Sequence, residues 1–95
     1  MRNAIPKPRF TEKQGQYLAF IHAYTLVMGR PPAEADMQRH FRVSPPSVHQ
    51  MVLTLERCGL IKREPGAARS IELLIEPENL PALAAQPFKT SVQRY

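Results

Sequence analysis

The chain has 95 residues, a single cysteine and a net charge of +5, with 43% hydrophobic and 22% charged side chains. That length and balance describe one small folded domain and argue against a wholly disordered chain, while a lone Cys58 excludes an internal disulfide framework and suits a reducing cytoplasm. No run approaches the ~20 apolar residues of a membrane span, so no membrane partner is expected. Residues 1–10 form a basic, proline-bearing arm with no apolar run before a cleavage site, so no signal peptide is expected. A pI near 9.9 points to nucleic acid, although unrelated small proteins share that balance.

Charge is unevenly divided along the chain. Residues 1–75 carry 11 basic and 6 acidic side chains, whereas residues 76–95 carry 2 of each, with Pro77, Pro81, Pro87 and the run Ala82 to Ala85. Residues 11–75 are read as the folded domain and 76–95 as a tail, either a dimerisation element or a flexible end. Within 11–75, Thr11 and Gln14 form a capping box that opens a helix. Apolar side chains recur at Tyr17, Leu18, Ile21, Tyr24, Thr25 and Met28, the spacing of one buried stripe. Gly29 can end that helix in the left-handed conformation, and Pro31 and Pro32 forbid its continuation. Gly15 weakens it by about 1 kcal/mol.

A shorter helix follows Pro32, with Glu34 and Asp36 in its first turn and Met37 and Phe41 facing inward. Arg42 and Val43 make a tight turn. Ser44 caps a third helix whose first position suits Pro45, with a slightly irregular start expected from Pro45-Pro46. Its buried stripe is Val48, Met51, Val52, Leu55 and Cys58, and its outer face is Pro46, Ser47, His49, Gln50 and Arg57. Residues 60–75 then switch to period two around Pro65-Gly66-Ala67, which is a hairpin. The fold class is mostly α with a small antiparallel β-hairpin: a winged helix–turn–helix of three helices plus wing.

That arrangement presents the N-terminal end of the third helix outward, where it fits a DNA major groove about 12 Å wide. Arg42, Arg57, Lys62, Arg63 and Arg69 make residues 42–70 net positive, with five basic against two acidic groups. Such clustering favours phosphate contact over an ordinary solvated surface. Gln50 can hydrogen-bond adenine in a bidentate manner and His49 can donate to guanine or phosphate. His22, His40, His49 and Cys58 lack metal-ligand spacing, and no catalytic constellation or phosphate loop appears. No enzyme, metal or cofactor is therefore expected.

Together, Thr11-x2-Gln14, Gly29-Arg30-Pro31-Pro32, Ser44-Pro45, Gly59-Leu60-Ile61 and Gly66-Ala67-Ala68-Arg69-Ser70-Ile71-Glu72-Leu73 resemble the N-terminal DNA-binding domain of LexA-type SOS repressors, over about residues 10–75. The resemblance implies that the third helix reads an operator's major groove while the wing contacts phosphates. By position, Ser44, Pro46, Ser47, His49 and Gln50 would face DNA and Arg69 would lie on the wing. The family reads its usual operator through an asparagine and two successive glutamates, where this chain has Pro46, His49 and Gln50. The usual SOS sequence is therefore not the expected target. Ala33 stands where the family has a helix-capping threonine, Arg42 replaces a glycine, and the turn is one residue shorter. No counterpart of the family's C-terminal peptidase domain, with its Ser–Lys dyad and cleavage site, is visible, so switching by self-cleavage is not expected.

The expected function is sequence-specific binding of double-stranded DNA by a cytoplasmic transcriptional regulator. The competing reading is a winged-helix protein-interaction module that uses the tail, Leu53 or Leu74 as its contact surface. Two copies on adjacent half-sites would form a homodimer, with Leu80, Leu83 and Phe88 in the tail as candidate contacts.

Overall fold

Thr11 opens the first helix as its spacing to Gln14 requires: Gln14 N donates to the Thr11 hydroxyl at 3.1 Å, and Thr11 N donates to Gln14 Oε1 at 2.9 Å. The computed structural model describes residues 9–85. Helix α1 (Glu12–Met28) is followed by α2 (Glu34–Phe41), α3 (Pro45–Arg57), strands β1 (Ile61–Lys62) and β2 (Glu72–Leu73), and a single 3-10 turn at Pro77–Asn79. The strands pair antiparallel, Ile61 opposite Leu73 and Lys62 opposite Glu72. Three helices and a hairpin in this order make the expected winged helix–turn–helix.

The core gathers one face from each element. Leu18, Ile21, Met37, Val48, Val52, Leu55 and Ile61 are almost wholly excluded from solvent, and Ile71 and Ile75 close it from the hairpin side. Tyr17 stacks on Phe41 with ring centroids 4.1 Å apart, pinning α2 to α1. The hairpin has only two paired residues per strand, so it depends on that packing.

Helix α1 departs from the single-stripe expectation. Tyr17 to Ile21 are buried consecutively, whereas Thr25 and Met28 are exposed along with Leu26 and Val27. The reason for the broad burial is the segment after the wing, which lies on α1 through Ala84. Leu80 and Leu83 pack against the core, and the Gln16 amide grips the segment from both sides. Its Nε2 donates to Ala82 O at 3.0 Å, and Ala84 N donates to its Oε1 at 2.8 Å. Gly15 lies beneath Pro81 and Phe10: a Cβ there would come 3.0 Å from Pro81 Cγ and 2.9 Å from Phe10 Cε1. The glycine therefore answers to a close approach, and its cost to the helix is offset by packing. Phe88 lies outside the described residues.

Cys58 also differs from expectation. It is the exposed C-cap of α3 and not part of the buried stripe, because the helix turns out at Gly59 (φ +76°) and Leu60 takes the next inward position.

His40 is half-buried among aromatic rings, 4.4 Å from Phe20 and 4.6 Å from Phe41 by centroid. Its Nε2 is buried without a hydrogen-bond partner, and burial pulls its pKa below the ordinary histidine value. The unfolded chain then takes up a proton first as pH falls, so this contribution to stability is complete above about 6.5 and is lost below it. Urea unfolding at pH 7.5 and 5.5 is expected to show lower stability at 5.5. His40→Phe should reduce that difference, and an unreduced difference would place its origin elsewhere.

Candidate nucleic-acid interface

Helix α3 starts regularly at Pro45, without the expected irregularity. Ser44 is extended (φ −73°, ψ 157°), which meets both the N-cap geometry and the bias imposed by a following proline. Its hydroxyl accepts from Ser47 N at 3.3 Å and donates to Ser47 Oγ at 3.0 Å. Pro45 and Pro46 occupy positions whose N–H groups would lack helical partners anyway. Before it, Arg42 ends α2 in the left-handed region (φ 57°, ψ 49°), its N–H donating to Gln38 O at 2.8 Å. A glycine is the usual occupant of that conformation. Only Val43 and Ser44 separate this turn from α3.

With Val48, Val52 and Leu55 buried, Pro46, Ser47, His49, Gln50 and Arg57 are left exposed on the outer face. Pro46, Ser47 and Gln50 share a shallow depression with Met51, Thr54 and Lys13. Lys13 was not foreseen. It sits in the first turn of α1, where no local pattern separates it from an ordinary solvated lysine, and only the packing of α1 beside α3 brings it to this surface. His49 Nδ1 lies 3.2 Å from Glu34 Oε2, which ties α3 to the start of α2. Arg57 Nη2 donates to Thr54 Oγ1 at 3.4 Å.

The wing cations differ in their commitments. Lys62 meets Glu72 at 3.5 Å with both side chains about two-thirds exposed, a pair of the kind worth little in water. Arg63 is only 22% exposed and donates from Nε to Glu56 at 3.1 Å, joining the wing to α3. Arg69 lies in the loop between β1 and β2, as expected of a wing residue, and its side chain turns toward the helices. It is left-handed (φ +58°), and its Nη1 faces Asp36 Oδ2 at 2.9 Å, the Tyr24 hydroxyl at 3.1 Å and Pro31 O at 3.3 Å. The guanidinium is drawn there because Asp36 is the single buried carboxylate among the described residues. Burial alone would raise the Asp36 pKa. The Ala33 N–H, the Arg69 charge and hydrogen bonds from Tyr24 and Arg69 outweigh it and leave the pKa below the ordinary value. Asp36 also accepts from Ala33 N at 2.8 Å, the N3-to-N-cap half of a capping box; the other half needs a side-chain acceptor that Ala33 lacks.

The wing loop is closed at its base by Ser70, whose hydroxyl accepts from Glu64 N at 2.9 Å and faces Ala67 O at 3.0 Å. Ala67 N donates to Glu64 O at 3.1 Å across Pro65-Gly66, and Gly66 is left-handed (φ +79°), as a turn with proline second and glycine third requires. Among the described residues, no group of three His, Cys, Asp or Glu side chains stands close enough to hold a metal ion, and no helix is long and apolar enough to cross a membrane.

The outer face of α3 is thus exposed and polar, with Lys13 beside it, and the chain continues from α3 into the two-stranded wing. Comparison with known proteins agrees with that form. The family model "LexA DNA binding domain" matches residues 7–70. The chain is 38% identical over 72 residues to the LexA repressor of Thermosipho melanesiensis, covering 76% of this chain and 36% of that protein. It is 39% identical over 70 residues to the LexA repressor of Thermosipho africanus, covering 74% and 35%. The matched part is thus about a third of the length of these relatives. With a family match that spans the three helices and the wing loop, the chain belongs to the LexA DNA-binding domain family.

Proposed function

We propose that this chain binds double-stranded DNA sequence-specifically in the cytoplasm and regulates transcription by occupying its site. Helix α3 enters the major groove and the wing lies on the flanking backbone. The observation that carries this reading is the division of α3, with Val48, Val52 and Leu55 sealed in the core and Ser47, His49 and Gln50 exposed on the opposite face. Membership of a DNA-binding family supports it. Pro46, His49 and Gln50 present a different hydrogen-bonding pattern from the family's asparagine and glutamates, so the preferred sequence differs from the usual SOS operator.

Selection of bound sequences from a random duplex pool defines the site. On the selected duplex, Gln50→Ala is expected to cost about 1–3 kcal/mol and to relax preference at one base pair. Preference left intact at every position would mean that a surface other than α3 reads the bases. Two half-sites one turn apart would be covered by two copies. Leu80 and Leu83 already pack against their own core, so pairing would use a different surface from these two leucines. Sedimentation of the chain with and without duplex measures the stoichiometry.

A further inference from the structure

We propose that Arg69 is a positioning residue that locks the wing onto the α1–α2 junction, and so sets the wing's angle against duplex DNA. The proposal rests on the DNA-binding reading above, but its geometry is independent of it. Arg69 lies in the loop between β1 and β2, while its three acceptors belong to the other side of the domain. Tyr24 is on α1, Pro31 is on the α1–α2 connection, and Asp36 is on α2. The Arg69 guanidinium carbon also stands 5.9 Å from the centroid of the Tyr24 ring, within reach of a cation–π contact. Among the described loop residues 64–70, the other hydrogen bonds stay within the loop: Ser70 bonds to Glu64 and Ala67, and Ala67 N donates to Glu64 O.

A left-handed conformation at a residue with a side chain persists when its surroundings over-determine it, and the three contacts do so here. Asp36 is 8% exposed and Arg69 32% exposed, so the pair is far less open to solvent screening than the Lys62–Glu72 pair. The same carboxylate caps α2 through Ala33 N. One buried group therefore fixes both the start of the helix–turn–helix and the wing, and the relative placement of these two DNA-facing parts follows from it.

The test exploits a conflict of sign. Asp36→Asn makes the protein more positive, so simple electrostatics predicts tighter binding to any duplex. The lock predicts the reverse, about tenfold weaker binding to the selected duplex, in line with losing a charge-assisted hydrogen bond. Ala33 N and Arg69 Nη1 share Oδ2, so an asparagine oxygen there still caps α2 while the charge that strengthens the Arg69 bond is lost. Circular dichroism confirms that the helices persist. Tyr24→Phe removes only the hydroxyl and should weaken binding in the same direction. Arg69→Lys, which keeps the charge but not the planar fork, should retain wild-type binding only in part.

Hydrogen exchange without DNA supplies the second readout. Amides of residues 64–71 should exchange several-fold faster in Asp36→Asn and Tyr24→Phe while α1 and α3 amides keep their protection. Arg39→Gln controls for the other Asp36 partner and should leave wing exchange unchanged. Tighter or unchanged binding by Asp36→Asn, or wing exchange unaltered in both variants, overturns the lock. If wild-type protein failed to bind duplex, the functional reading would fall while the exchange measurement still decided the lock.

Discussion

Duplex binding is expected to weaken about a hundredfold when monovalent salt rises from 50 to 200 mM. Each phosphate neutralised by a lysine or arginine releases condensed counterions, with a log–log slope of about −0.9 per contact. Composition alone places five cations on the surface, a slope of about −3 to −5. The structure changes which side chains count. Arg63 and Arg69 face Glu56 and Asp36 at 3.1 and 2.9 Å, so a phosphate would have to displace a carboxylate. Arg42, Arg57 and Lys62 are exposed, Lys62 in a solvent-open pair with Glu72 that a phosphate can replace at little cost. Lys13 lies beside α3, and these four are the proposed contacts. Four contacts give a slope of about −3 to −4, and a fourfold change in salt at that slope is the stated loss. Fluorescence anisotropy with a labelled duplex across the salt range measures it. A slope near zero would remove the phosphate contacts from the proposed interface.

The largest stability effect is expected at Leu55. Its side chain is wholly buried on the inner face of α3, and its carbonyl accepts from Leu60 N at 3.0 Å where the chain leaves the helix for the wing. Leu55→Ala should cost about 2–5 kcal/mol through lost apolar transfer and the cavity left behind. That is a large share of the ~5–15 kcal/mol that holds a typical domain. At roughly 4–8 °C per kcal/mol for a domain this small, the melting midpoint should fall by more than about 10 °C. Leu74, 52% exposed, provides the control, and Leu74→Ala should stay within about 0.5 kcal/mol of wild type. Equal shifts for the two variants would mean that the core is not where Leu55 points.

Features that depend on neighbours in sequence were legible before the structure. The Thr11–Gln14 box, the Gly29 stop, the Ser44 cap and the Pro65-Gly66 turn all rest on interactions within a few residues, and all form as read. The outer face of α3 was legible for the same reason, since a helix turns its fourth neighbour to the same side. Features that depend on distant segments were not. Lys13 meets Pro46, Ser47 and Gln50 only through the folding of the start of α1 against α3. The basic character of Arg69 suggested a phosphate, and nothing local announced a carboxylate 33 residues away. Thr25 and Met28 match the period of α1 but lie near its C-terminal end, where the described residues leave them exposed.

One pattern was present and could have been read. Gly15, Ala19 and Ala23 recur every fourth residue of α1, and the segment from Pro77 to Leu83 lies over that line, with Ala19 and Ala23 lining the same depression as Leu80 and Pro81. A shallow track of small side chains, flanked by an amide that both gives and accepts hydrogen bonds, is how a receptor receives an extended peptide. The chain carries its own occupant a few residues after the wing. Attachment through a short connection acts like a local concentration in the millimolar range, so weak individual contacts suffice to keep the track filled. A cut after Ile75, where proline and alanine content invites a boundary, would leave a vacant receptor on α1, and the severed peptide would have to be supplied at about millimolar concentration to refill it.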